Sequence, residues 1–280
     1  MATSRHDWFG TFGLGAALLI IIASVAATAL PLPDAETPQL LDRMKGPFSV
    51  DANGTMHLAG TDQLGRDVLA RTIVGARISL GVAFATVVIS GSVGTMLGLV
   101  AGYRGGKTDY LIMRLVDFQM AMPSLLLAIF LLYLIGTSIA NLVLLLSVMS
   151  WYSYTRVVRG EVLRLRSAPF VEAAQVCGAS HWRIVVKHLF PQVIPVLVVI
   201  AIFDFSTVIL AEAGISFLGL GVQPPNTSWG RMISEGQQYI TTGAWWLFAA
   251  PGLAIFLTVL SARLCSSWFT QFNEGTRRRS

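Results

Sequence analysis

The residues whose chemistry most needs explaining in this 280-residue chain are two carboxylates, Asp204 and Glu212, set in an apolar run from Val193 to Gly214. A charge held at mid-bilayer costs about 2.5–3.5 kcal/mol even on the lenient scale, so such groups turn toward a bundle interior or a watery cavity. Eight residues apart, the two lie close to one helix face, two turns from each other. Two roles stay open for them: lining the route of a cationic or amine-bearing solute, or hydrogen-bonding neighbouring helices or a partner subunit. The other candidates for chemistry fall away. His6, His57, His181 and His188 are scattered, and no nucleophile or carboxylate stands at a matching spacing, so His188 reads as a structural hydrogen-bonding partner. Gly106-Lys107-Thr108 resembles the end of a phosphate-binding loop. Ala101 stands where the first glycine of that loop belongs, and the preceding segment has no strand character. Cys177 and Cys265 make neither a disulfide framework nor a metal site. No zinc, calcium or haem spacing appears, so the chain is expected to be no enzyme and to bind no metal or cofactor of its own.

The elements that hold these residues are set by composition. With 54% hydrophobic and 12% charged residues, against about 25% charged in soluble domains, this is a membrane protein. Crossing a bilayer core takes about 20 helical residues. Phe12–Leu30 makes a first span, and its length favours a span over a signal peptide cleaved near Ala27-Thr28-Ala29. A polar connection follows, in which Leu64, Val68, Leu69 and Ile73 form a stripe able to lie at the membrane surface, with Asp67 and Arg71 as an i, i+4 pair. Ile78–Tyr103 makes a second span, whose Gly94, Gly98 and Gly102 permit close helix packing. The uncharged run Phe118–Tyr154 folds as a hairpin of two spans turning at Gly136–Ser138. Val193–Gly214 and Ala244–Ala262 complete an all-α architecture of six transmembrane helices, with a polar loop at 218–245 and Trp245 and Trp246 marking an interface. Of the 20 Lys and Arg residues, 14 fall on the side that holds both termini, so the termini and the loop 156–191 are expected to be cytoplasmic. Spread over several short loops, these charges serve topology, and no nucleic-acid partner is expected.

The densest basic loop contains a segment built like a plug. Phe170, Ala173, Ala174 and Cys177 fall at i, i+3, i+4 and i+7, so a helix beginning near Pro169 carries one small apolar face. Gly178 stands where a left-handed residue ends a helix, and Ser180 can cap a second one. That second helix is expected to end at Pro191, with Arg183, Lys187 and His188 facing water or a partner and Ile184, Val185, Val186 and Leu189 needing cover. Read from the residues alone, an amphipathic helix resting on lipid headgroups fits as well as a docking element.

Glu172-Ala173-Ala174, three residues, Gly178, and Pro191 thirteen residues later resemble the EAA loop of permease subunits of ATP-binding-cassette importers. His188 and Phe190 stand where the general pattern has an aliphatic residue and a leucine, and the histidine resembles the peptide/nickel branch. Residues 57–77, HLAGTDQLGRDVLARTIVGAR, and 223–230, QPPNTSWG, resemble two further signatures of that branch. The resemblance implies the type I importer permease (MetI-like) fold over residues 57–270, after an N-terminal span and external loop (1–56) and before a basic cytoplasmic tail (271–280). It implies that the loop 167–192 couples to ATPase subunits through Phe170, Glu172, Ala173, Ala174, Gly178, Arg183, His188 and Pro191. The implied partners are a second homologous permease, two ATPase subunits that carry ATP and Mg, and an external solute-binding protein, at a bacterial inner membrane. The implied cargo is peptides or related small solutes. The rival reading is an ATPase-independent channel or proton-coupled carrier that uses Asp204 and Glu212.

Overall fold

The computed structural model describes residues 35, 37–51 and 54–277, with side chains to residue 270. The expected first span, Phe12–Leu30, lies outside the described residues. A short cap comes first: a 3-10 turn Leu40–Asp42 and a two-residue hairpin, β1 (Ser49–Val50) and β2 (Met56–His57), paired antiparallel with Ser49 opposite His57. The helices follow: α1 Val68–Arg104, α2 Gly106–Ala121, α3 Ser124–Ile135, α4 Ile139–Leu165, α5 Pro169–Val176, α6 His181–Phe217, α7 Trp229–Gln237 and α8 Trp246–Arg277.

α1 is 37 residues long and begins at Val68, about ten residues before the expected span. Asp67 stops the chain from extending the helix backward by accepting the Ala70 N–H at 2.7 Å, so it is the N-cap. This corrects two expectations. Leu64 lies in a turn instead of on a surface helix, and Val68, Ala70 and Arg71 are buried. Asp67 and Arg71 are not partners: Asp67 receives His57 Nδ1 at 2.7 Å, while Arg71 reaches Asp62 and Glu235.

The glycine face of α1 packs as its spacing predicts, against α4. A Cβ on Gly94 would stand 2.4 Å from the Trp151 carbonyl oxygen, and one on Gly98 or Gly102 would stand 2.7 Å from Cβ of Val158 or Val162. Three successive turns of α1 therefore touch the backbone or branched side chains of α4 with no room for a methyl group. The main core forms where α1, α4, α6 and α8 meet, around Val82, Leu142, Leu145, Ile209 and Trp229.

The hairpin turn falls at Gly136–Ser138, with Ser138 capping α4 through the Asn141 N–H at 3.0 Å. Its first arm is not one straight span. α2 and α3 meet at a 93° bend at Met122-Pro123, and α3 alone, at 12 residues, is about 18 Å long, too short for a 30 Å hydrocarbon core. Proline at 123 disfavours a helical Met122, which is extended at φ −85°, ψ 130°. Among the described residues three helices are long and apolar enough to span a membrane, α1, α6 and the part of α8 from Trp246 to Thr270, or four if the bent pair is one span. The loop expected at 218–245 contains α7, capped by the Ser228 hydroxyl, and α8 continues to Arg277, past the boundary expected at residue 270.

Candidate functional site

The plug-like segment is an elbow with its own small core. Proline at the first turn and an extended Ala168 start α5, and Gly178 ends it in the left-handed region at φ +77°. Ser180 then accepts the Arg183 N–H at 3.4 Å and starts α6. The face turned inward is Val171, fully buried with Leu99, Val158, Val162, Leu165, Ile184, Leu189 and Val193. Phe170, Glu172, Ala173, Cys177 and Gly178 are exposed and Ala174 is half-buried, so the small face is turned outward. A side-chain link fixes the elbow to the bundle: the Tyr103 hydroxyl and His181 Nδ1 are 2.8 Å apart, their rings edge to face.

α6 does not stop at Pro191. The chain passes from His181–Ile184 through one π turn, Val185–Leu189, into Phe190–Phe217. Proline has no N–H to give and its ring collides with the carbonyl four residues back, here that of Lys187. The π turn absorbs this: the Phe190 N–H reaches five residues back to the Val185 carbonyl. His188 lies half-buried in that turn, and among the described residues its ring has no hydrogen-bond partner. The structural hydrogen bond in this segment is made by His181, for which the sequence suggested no role.

The two intramembrane carboxylates have different surroundings. Asp204, 8% exposed, accepts the Tyr154 hydroxyl at 3.0 Å, so α4 and α6 share one buried polar contact. Glu212 is 0% exposed. It accepts Ser79 Oγ at 3.2 Å and Ser216 Oγ at 2.7 Å, and those hydroxyls in turn accept the backbone N–H groups of Trp229 and Val222. The indole of Trp229 donates to the Thr72 carbonyl at 2.8 Å. Glu212 thus ties α1, α6 and the loop leading into α7 together.

Beyond that knot lies a buried charge network. Asp62 accepts Arg66 Nε at 2.8 Å and Arg71 Nη1 at 2.6 Å, while Glu235 accepts Arg71 Nη2 at 3.1 Å and Arg231 Nε at 2.8 Å. Burial pushes the Glu235 carboxyl up, but the charges and hydrogen bonds of Arg71 and Arg231 outweigh it and hold it below its ordinary value. Sequence reasoning missed this network, and also Tyr154, Ser79 and Trp229. The segments 57–77 and 223–230 were singled out as signatures, yet nothing in their spacing says that Arg71 meets Glu235 across 164 residues. Among the described residues no group of His, Cys, Asp and Glu side chains is arranged to hold a metal ion.

A long-helix membrane bundle with an exposed elbow at one end and a braced cap at the other is the architecture of a transport permease. Residues 94–278 match the family of binding-protein-dependent transport system inner membrane components, and the chain belongs to that family. It is 40% identical over 250 residues to the nickel transport system permease protein NikC of Escherichia coli K12, covering 88% of each chain. To the di/tripeptide transport system permease protein DppC of Pseudomonas aeruginosa it is 38% identical, over 88% of this chain and 81% of that one. To the oligopeptide permease protein OppC of Bacillus subtilis it is 36% identical, over 90% and 81%. An inward-facing structure of the MetNI methionine ABC transporter superposes with a TM-score of 0.58 at 19% identity, over 70% of this chain and 93% of that one, a likeness of fold. The chain is therefore a permease subunit of a binding-protein-dependent ABC importer of the peptide/nickel type, with the MetI-like permease fold, and a protein of the inner membrane.

Proposed function

We propose that this chain forms half of the translocation pathway of an importer for peptides or related small solutes and receives mechanical work from ATPase subunits through the α5 elbow. In this reading Phe170, Glu172, Ala173, Ala174, Gly178, Arg183, His188 and Pro191 make up the coupling element. A second homologous permease completes the pathway, two ATPase subunits carry the ATP and Mg, an external binding protein delivers the solute, and both termini are cytoplasmic. The observation that carries the reading is the two-sidedness of α5: Val171 is locked into the elbow's own small core, while Glu172 and Ala173 are exposed, the alanine small enough for close backbone approach and the glutamate able to pair with a partner's cation. Of the carboxylates, Asp204 is assigned to the pathway and Glu212 to bracing the external loop. The relatives' names support the solute class, since they cover nickel, di- and tripeptides and oligopeptides.

The test places a cysteine at Ala173 and measures disulfide or bismaleimide capture of co-expressed ATPase subunits, alongside solute uptake by Glu172→Arg. Capture at Ala173, and uptake by Glu172→Arg reduced at least about tenfold with membrane levels unchanged, are expected. Uptake by this polypeptide without ATPase subunits, or an elbow reached only by reagents added outside the cell, refutes the proposal.

A further inference from the structure

Two hollows flank the elbow side by side. The first, about 980 Å³, opens between the end of α1 and the start of α6 and is lined by Tyr103, Arg104, Arg166, Glu172, His181 and Trp182. The second, about 660 Å³, is almost wholly apolar and runs along α1 from Val100 to Val87, against Val186, Phe190 and Leu197 of α6. Leu99, Val100, Trp182 and Val185 line both, so the cationic mouth and the greasy groove adjoin along these four residues.

The dimensions and charges fit one kind of occupant. The thirteen steps of α1 from Val87 to Val100 rise about 20 Å, against about 15 Å for half of a bilayer's hydrocarbon core. At the mouth, Arg104 has no carboxylate partner among the described residues. Arg166 lies beside it, held against the Gly102 carbonyl at 3.4 Å. The acid that could neutralise Arg166, Asp109, is already engaged through both oxygens by Arg159. Glu172 is the one acidic side chain of the lining, so the mouth keeps a net positive charge. Trp182, 77% exposed, stands at the junction, where an aromatic ring at the boundary of water and hydrocarbon is at home.

We propose that these adjoining hollows form a binding site for an anionic phospholipid, with the headgroup phosphate on Arg104 and Arg166 and one acyl chain laid along α1 toward Val87. The bound lipid covers apolar surface that α1 and α6 leave open and sets the elbow's resting position beside Tyr103 and His181. It requires only that the chain is embedded in a membrane, so it stands or falls separately from ATPase coupling.

The assembled importer is reconstituted without nucleotide in nanodiscs carrying chain-brominated phosphatidylglycerol or phosphatidylcholine, and the quenching of Trp182 is read as the difference between the parent and Trp182→Phe. Quenching by the brominated anionic lipid at a mole fraction on the order of tenfold lower than by the zwitterionic one is expected, given about a fivefold gain per cationic residue near the surface. Arg104→Gln/Arg166→Gln abolishes the preference, and Arg104→Lys/Arg166→Lys retains most of it. Equal quenching by the two lipids overturns the proposal. So does absence of Trp182 quenching, the result expected if a second permease subunit fills the groove.

Discussion

Replacing Arg71 by methionine tests the charge network that braces the far end of the bundle. Arg71 is 3% exposed and bridges Asp62, at 2.6 Å, to Glu235, at 3.1 Å. Stripping a buried ion pair of one partner typically costs about 3–5 kcal/mol, because the other charge is left without compensation. Here each carboxylate keeps a second cation, Arg66 on Asp62 and Arg231 on Glu235. The loss should therefore be smaller, roughly 2 kcal/mol, or about thirtyfold in the equilibrium. Resistance of the purified complex to denaturant, followed by tryptophan fluorescence, measures it, and the cycle with Glu235→Gln isolates the pair. The pH dependence supplies a sign. Glu235 is held below its ordinary value of 4.5, so its stabilisation is full above that value and is lost as pH falls through the lower, folded-state value. Without Arg71, burial is opposed by Arg231 and the more distant Arg66, at 3.9 Å, so the folded-state value rises and the loss of stability is complete at a higher pH. A cost under about 0.5 kcal/mol, strict additivity with Glu235→Gln, or an unmoved pH profile would refute the reasoning.

The remaining expectations concern packing and the polar knot. Gly98→Leu puts a side chain where even a Cβ meets Thr155 O at 2.8 Å and Val158 at 2.7 Å, so α1 and α4 must part; at least about 3 kcal/mol is lost, and membrane levels fall in quantitative blots. Glu212→Leu leaves the hydroxyls of Ser79 and Ser216 without their acceptor, at about 1–3 kcal/mol each, whereas Glu212→Gln keeps an acceptor and costs less than half as much in the same denaturation assay. Gly178→Val must hold a β-branched residue at φ +77° with open space around it; a backbone penalty of about 1–2 kcal/mol falls on the elbow alone, so proteolysis near residue 178 quickens while the global denaturation midpoint stays put.

Sequence patterns found this fold best where one residue type has one job. Glycines at 94, 98 and 102 announce a close helix contact without naming the partner, and the partner is α4. Gly178 and Ser180 mark the end of one helix and the start of the next, and the elbow turns there. Patterns fail where two parts of the chain decide together. Pro191 reads locally as a stop, yet a π turn carries the helix through it, because the apolar residues on either side, Ile184, Leu189 and Val193, share one buried cluster. Leu64 to Ile73 reads as a surface stripe, yet the cap folded over it, with Trp229 bonded to Thr72, turns its first residues into interior. The paired carboxylates of α6 look alike in sequence. Only their neighbours, a tyrosine for Asp204 and two serines for Glu212, separate them.

The continuity of α6 through Pro191 joins what would otherwise be separate parts. At 1.5 Å per residue, its 37 residues form a strut about 55 Å long, with His181 beside the elbow at one tip and Phe217 beside the loop that leads into α7 at the other. A tug on the first tip is felt at the second without passing through a loop, and Asp204 and Glu212 ride along the way. Slack can enter the strut at the π turn and at Pro195. A displacement at one tip of α6 reaches the other with its timing set by those two soft places.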